Sequence, residues 1–132
     1  MKIKTQDLIG PALDWAVALC KGKGIEFEDP SDPWLTVDGI ADQPLHSYTP
    51  SIDWHQGGPI IEREKLELRP GLYHSELWAC WGQTQHGHRR SQQGKTGPTP
   101  LIAAMRCYVA SKFGDKVEVP DNLINQILEF QK

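Results

Sequence analysis

Gly97-Pro98-Thr99-Pro100-Leu101-Ile102-Ala103-Ala104-Met105-Arg106-Cys107-Tyr108-Val109-Ala110-Ser111-Lys112-Phe113-Gly114 reads as one helix with both ends marked. Thr99 supplies an N-cap oxygen, Pro100 suits the first helical position because its missing N–H would be unpaired there anyway, and Gly114 supplies the stop. Leu101, Met105 and Val109 form one apolar row, with Ile102, Arg106 and Phe113 beside it. The preceding segment, Gly82 to Gly97, holds no aliphatic or aromatic side chain and reads as a polar loop. The whole run from Leu77 to Gly114 lacks acidic residues and carries Arg89, Arg90, Lys95, Arg106 and Lys112. It is formally +5 within a chain of net charge −3. A basic polar loop leading into a helix N-terminus can receive an anion, because that end presents free N–H groups and partial positive charge.

Working outward, Thr5 is positioned to cap a first helix. Ile9, Leu13, Ala16 and Cys20 lie on one face of it, and Gly22 and Gly24 end it. Residues 29 to 59 hold five of the ten prolines, which predicts a wrapping loop pinned by Trp34 and Leu45, with a short strand over Trp34 to Val37. Gly57-Gly58-Pro59 reads as a break before a helix from Ile60 to Lys65, with a strand over 60 to 64 as the competing reading. Leu66 to Arg69 alternates, Pro70-Gly71 turns, and Tyr73 to Trp81 returns, which predicts a hairpin. Val117 to Val119 is extended, and Asp121 is placed to cap a last helix carrying Leu123, Ile124, Ile127, Leu128 and Phe130. The expected fold is a single small α+β domain over 1–132. A short antiparallel sheet packs with three or four helices in an α-β-α sandwich-like arrangement.

Composition narrows the function. A pI near 5.9 argues against duplex nucleic acid, which selects for a strong basic excess, while the local cationic run keeps a small anionic ligand open. Cys20, Cys80 and Cys107 are odd in number and form no C-x-x-C pair, as expected of thiols in a reducing cytoplasm. No apolar run approaches a membrane span, and the N-terminus has no apolar secretory core.

Catalytic motifs are weighed and set aside. Gly94-Lys95-Thr96 matches the end of a phosphate-binding loop, but Arg89 stands where that motif needs its first Gly, and Gly97-Pro98 replaces the helix start. Cys80, His86 and His88, with His74 nearby, fit no common zinc spacing, so no metal and no cofactor is expected. Glu62 with Glu64, and Asp29 with Asp32, read as solvated carboxylates rather than an acid–base pair. Asp53 is expected to cap a short helix with Trp54 plugging a core gap; the rival reading makes Trp54 a stacking platform. Trp78 and Trp81, three apart in a strand, face opposite sides, and Trp81 beside the loop is the better contact candidate.

The phrase Gly97 to Gly114 continuing through Val117-Glu118-Val119-Pro120 resembles the NinX-like family of tailed-phage and prophage proteins. So do Leu13-Asp14-Trp15-Ala16-Val17-Ala18 and Tyr48 through Ser51-Ile52-Asp53-Trp54 and Gln56-Gly57-Gly58-Pro59-Ile60-Ile61-Glu62-Arg63-Glu64. A broader likeness to small phage α-β-α sandwich domains agrees with the fold. The resemblance implies phage origin and a small accessory role, and brings no catalytic residues, because no activity is settled for the family. The expectation is a non-enzymatic accessory protein of the host cytoplasm that binds a host or phage protein. Sequestration of a small anionic nucleotide-type signal, or an enzyme acting on a nucleotide, are the alternatives. The expected contact residues are Trp81, His86, His88, Arg89, Arg90, Lys95, Thr96 and Thr99.

Overall fold

The computed structural model describes residues 1–71, 77–82 and 94–124. In chain order it contains β1 (Lys2–Lys4), α1 (Gly10–Cys20), β2 (Gly24–Glu26), β3 (Trp34–Val37), β4 (Ile40–Pro44), α2 (Trp54–Glu64), β5 (Glu67–Pro70), β6 (Trp78–Trp81), β7 (Lys95–Gly97), α3 (Pro100–Phe113) and β8 (Lys116–Glu118). A further helical turn occupies 121–124. The α+β class holds. The strands are spread over three small antiparallel sheets, β1-β8, β2-β3-β4 and β5-β6-β7, rather than collected in one.

The capped helix α3 is the hub. Its nine consecutive residues Leu101 to Val109 are all buried, so the helix is covered on every side rather than along one stripe. Different neighbours take different rows. Tyr108 receives Arg63 of α2 at 3.3 Å on its hydroxyl. Leu101 lies over Gly57 of α2, where even a methyl group would meet Leu101 Cδ2 at 2.7 Å and the Pro50 carbonyl. Arg106 reaches the carbonyls of Leu8 and Thr96, both at 2.8 Å.

That close approach corrects the reading of Gly57-Gly58-Pro59 as a break. The three residues lie inside α2, which runs Trp54–Glu64 from an Asp53 N-cap to Lys65 in the left-handed region. Gly57 is needed for helix-to-helix contact, and Pro59 falls on the exposed side of α2.

The start of α1 is also later than expected. Thr5 does not cap it: its N–H and hydroxyl both donate to the Asp115 carbonyl, and Thr5–Asp7 forms a 3₁₀ turn. The helix begins at Gly10-Pro11, and Gly22, at φ +82°, ends it as expected.

The proline-rich segment holds more order than a wrapping loop. Trp34 to Val37 is the expected strand and Leu45 is the expected buried pin, but β3 turns through Asp38-Gly39 into β4 and pairs with β2. Asp38 (φ 53°) and Gly39 (φ +78°) are both left-handed, as a two-residue hairpin turn requires.

The hairpin of β5 and β6 is present, with Leu68 opposite Cys80. The 73–76 part of the expected return strand, and the last helix beyond Ile124, lie outside the described residues. Leu123 and Ile124 are buried, and Asp121 sits within the first turn rather than before it.

Met105 is wholly buried at the middle of α3. Met105→Asp removes that packing and buries a carboxylate with no partner, so the variant should lose at least about 4 kcal/mol, a large part of a small domain's stability. Urea denaturation of the two proteins measures it, and an unchanged midpoint would mean α3 is not the buried hub.

Candidate functional site

The segment that leads into α2 is tied down by side-chain hydrogen bonds from two helices. Asp14, inside α1 and 4% exposed, accepts the Ser51 N–H on Oδ1 at 2.9 Å. Two residues on, Asp53 caps α2 by accepting the His55 N–H at 2.9 Å. Gln56, three residues after the cap, accepts the Thr49 N–H at 3.0 Å and donates to the Asp53 carboxylate at 3.0 Å. This resembles the reciprocal logic of a capping box, with the glutamine accepting from Thr49, four residues before the cap, instead of from the cap's own N–H.

The rigid turn thus formed displays two large apolar side chains. Ile52 is 72% and Trp54 55% exposed, one on each side of capped Asp53. The expected cap is therefore present, but Trp54 plugs no core gap. Its ring lies over Gly58, one helical turn on, where a methyl group would be 4.0 Å away.

The residues expected to bind an anion are used differently. Lys95 and Thr96 do not belong to a free loop; they form β7, paired with β6. Lys95 is 9% exposed, stands opposite Cys80, and has its ammonium 3.4 Å from Asp115 Oδ1.

Thr96 is fully engaged. Its N–H donates to Gln6 Oε1 at 3.1 Å, and its carbonyl accepts from Gln6 Nε2 at 2.9 Å as well as from Arg106. The Gln6 amide behaves here like one residue of an extra strand. Thr99 is the expected N-cap, its hydroxyl accepting the Ile102 N–H at 3.1 Å.

With Pro98 and Pro100 lacking N–H groups, the start of α3 has little left to offer an anion. Trp81 is half-buried, its indole lying where a side chain at Gly94 would stand. His86, His88, Arg89 and Arg90 lie outside the described residues. Trp81, Lys95 and Thr96 are thus gathered on adjacent strands, but as parts of the sheet.

A second concavity lies at the β2-β3-β4 sheet, a cavity of about 400 Å³ lined by Glu26, Glu28, Asp29, Asp32, Trp34 and Ala41. Ser31 donates both its hydroxyl and its N–H to Asp29, which holds that carboxyl below its ordinary value. Asp32 accepts the Trp34 indole N–H at 3.3 Å. Asp29 and Asp32 thus line the cavity with their carboxylates engaged by Ser31 and by the Trp34 indole. Among the described residues no three His, Cys, Asp or Glu side chains converge as a metal site would need.

Sequence reading missed this cavity and the exposure of Ile52, and placed Trp54 outward only in its rival reading as a stacking platform. The acid density of residues 26 to 32 and the Asp38-Gly39 turn signal were available for the first. For the second, the D-x-x-Q phrase at Asp53 and Gln56 already marked a helix start, which leaves Trp54 at a first-turn position facing outward.

The family model described as Bacteriophage P22, NinX matches residues 4–112. The chain belongs to this family. Among curated proteins none matches. The NinX match spans α1, the Asp14 tie, all of α2 and most of α3, so the displayed turn and the hub beneath it both lie within the family's extent.

Asp14 holds the turn at an electrostatic cost. Burial pushes its carboxyl up from about 3.8 to about 6, only partly opposed by the Ser51 hydrogen bond. A carboxyl raised on folding favours its protonated form, so it contributes stability below its unfolded pKa, and that contribution is lost as pH rises from about 4 to about 6. The full difference is about 3 kcal/mol. Asp14→Asn removes the charge, so the variant's stability relative to the parent should move by about 3 kcal/mol in its favour between about pH 3.5 and pH 7.5. Urea titrations at both pH values measure this, and a pH-independent difference would mean that Asp14 ionises freely in the fold.

Proposed function

We propose that this NinX-family phage protein is a non-enzymatic accessory factor of the host cytoplasm that binds a host or phage protein through the start of α2. One observation carries the reading: Ile52 and Trp54 stand exposed on a turn fixed by Asp14, Asp53 and Gln56. Large apolar side chains held rigidly in water contribute little to the fold, whereas each is worth about 1.5–3 kcal/mol when a partner covers it. Tryptophan is also among the side chains that most often dominate protein interfaces, since it offers a broad surface with few rotamers to freeze. The capping network removes most of the ordering cost that a mobile loop would incur on binding.

The small-anion reading loses support because Lys95, Thr96 and Thr99 are already committed to Asp115, Gln6 and the α3 cap. No described helix is long and apolar enough to cross a membrane.

The test uses tagged parent and Trp54→Ala/Ile52→Ser chains expressed in phage-infected cells, with captured proteins quantified by mass spectrometry. The parent should retain a defined partner that the variant retains at least about tenfold less, with the two chains equally stable, as surface changes should leave them. Equal recovery by both chains would contradict the reading. So would native mass spectrometry showing a small molecule retained by both and no protein retained by either.

A further inference from the structure

The β2-β3-β4 sheet is hollow beside a tryptophan. Glu26 and Trp34 stand opposite each other in the β2–β3 pairing, so their side chains share one face, and Thr36 lies two residues on along that face. Its partners there are Gly24 on β2 and Ala41 on β4. Gly24 cannot be larger, since a methyl group on it would meet Thr36 Oγ1 at 2.6 Å, and Ala41 is short, so a low row of side chains runs beside the tall Trp34. Ile25 and Leu35 take the opposite face and pack on the core. The 27–33 connection between the strands adds Glu28, Asp29 and Asp32 to the walls of a cavity of about 400 Å³, a size typical of ligand sites.

Four carboxylates line this cavity and no cation does. Those of Glu26 and Glu28 have no hydrogen-bond or ion-pair partner among the described residues. Lys23, just before β2, is drawn elsewhere: its ammonium lies 3.3 Å from Asp42 Oδ2 and 4.9 Å from the centre of the Tyr48 ring. His46, which does not line the cavity, has Nε2 at 3.7 Å from Asp32 Oδ1. The aromatic wall is an independent feature. Trp34 is half-buried, and Asp32 Oδ2 accepts its indole N–H at 3.3 Å, which fixes the orientation of the ring. A planar, delocalised cation uses both features at once, stacking on the ring while its N–H groups reach carboxylates spread around it. A metal ion does not, because among the described residues no three acidic, histidine or cysteine side chains converge on one point.

We infer that this cavity is a binding site for an arginine side chain carried by an extended segment of a protein partner. The guanidinium lies against Trp34, and Glu26 and Glu28 accept its N–H groups. Asp29, with Oδ1 taken by Ser31, and Asp32, with Oδ2 taken by the indole, add negative charge and hold the wall in shape. Ala41 belongs to β4, the edge strand of its sheet, whose residues Ile40 to Asp42 are exposed, so the chain bearing the arginine has a strand edge to follow. Ile52 and Trp54 line no part of this cavity, and the site does not depend on the reading of the α2 turn.

The experiment titrates the full isotope-labelled chain with end-capped tri-arginine, tri-lysine and spermidine, following amide and indole N–H signals by NMR. Tri-arginine should shift the Trp34 indole signal and the amides of β2 and β3 saturably, and should bind at least about fivefold more tightly than tri-lysine or spermidine, because only a guanidinium both stacks and forks. A Glu26→Gln/Glu28→Gln chain should bind it at least about tenfold more weakly. Trp34→Leu should reduce tri-arginine to the affinity of tri-lysine, and the parent titration decides the matter even where that variant fails to fold. The Trp54→Ala/Ile52→Ser chain should bind as the parent does, which separates this site from the α2 turn. The absence of a saturable shift at Trp34, equal binding of tri-lysine or spermidine, undiminished binding by the Glu26→Gln/Glu28→Gln chain, or loss of binding in the Trp54→Ala/Ile52→Ser chain would each overturn the inference.

Discussion

Burying a helix on every side is the constraint from which the rest of this molecule follows. Nine residues of α3 in succession are shielded from water, so no single sheet face or helix stripe can serve as its only partner. The β5-β6-β7 sheet, β8, α1 and α2 each cover a sector of it, while the β2-β3-β4 sheet packs against α1 through β2. The cost appears at Arg106, the one cation in the buried stretch, whose burial lowers its pKa. It is accommodated because its guanidinium donates to two carbonyls, that of Leu8 before α1 and that of Thr96 in β7.

The same logic explains how a displayed surface is kept rigid. The turn before α2 is fixed from below by Asp14 of α1, and α2 is fixed to α3 by the close approach of Gly57 to Leu101 and by Arg63 over Tyr108. Ile52 and Trp54 therefore project from a frame that does not reorganise. The desolvation that raises Asp14 is the visible cost of that frame.

What the sequence made legible was local. The bounds of α3 were readable because Thr99, Pro100 and Gly114 mark both ends within one continuous phrase, and the β5–β6 hairpin because Pro70-Gly71 interrupts an alternating pattern. The Asp53 cap was readable for the same reason. What could not be read were roles set by partners far along the chain. Thr5 looks like a cap until Asp115 takes its hydroxyl, and Lys95 and Thr96 look like free loop donors until Asp115 and Gln6 engage them. Gly57-Gly58-Pro59 has the local chemistry of a break, and only the nearness of Pro50 and Leu101 explains why glycine stands in a helix there. The Asp38-Gly39 hairpin was a local signal passed over because the surrounding prolines dominated the reading.

The hub account is tested most directly by native-state amide hydrogen exchange across a range of sub-denaturing urea. If α3 is the hub of the core, the amides of Leu101 to Val109 must open only with the whole molecule. They should then form the slowest class, with the urea dependence of global unfolding. Contradiction would come from α3 amides exchanging through a smaller opening while those of Ala12 to Ala18 in α1 stay protected, since the helix would then be a layer laid on a core formed without it.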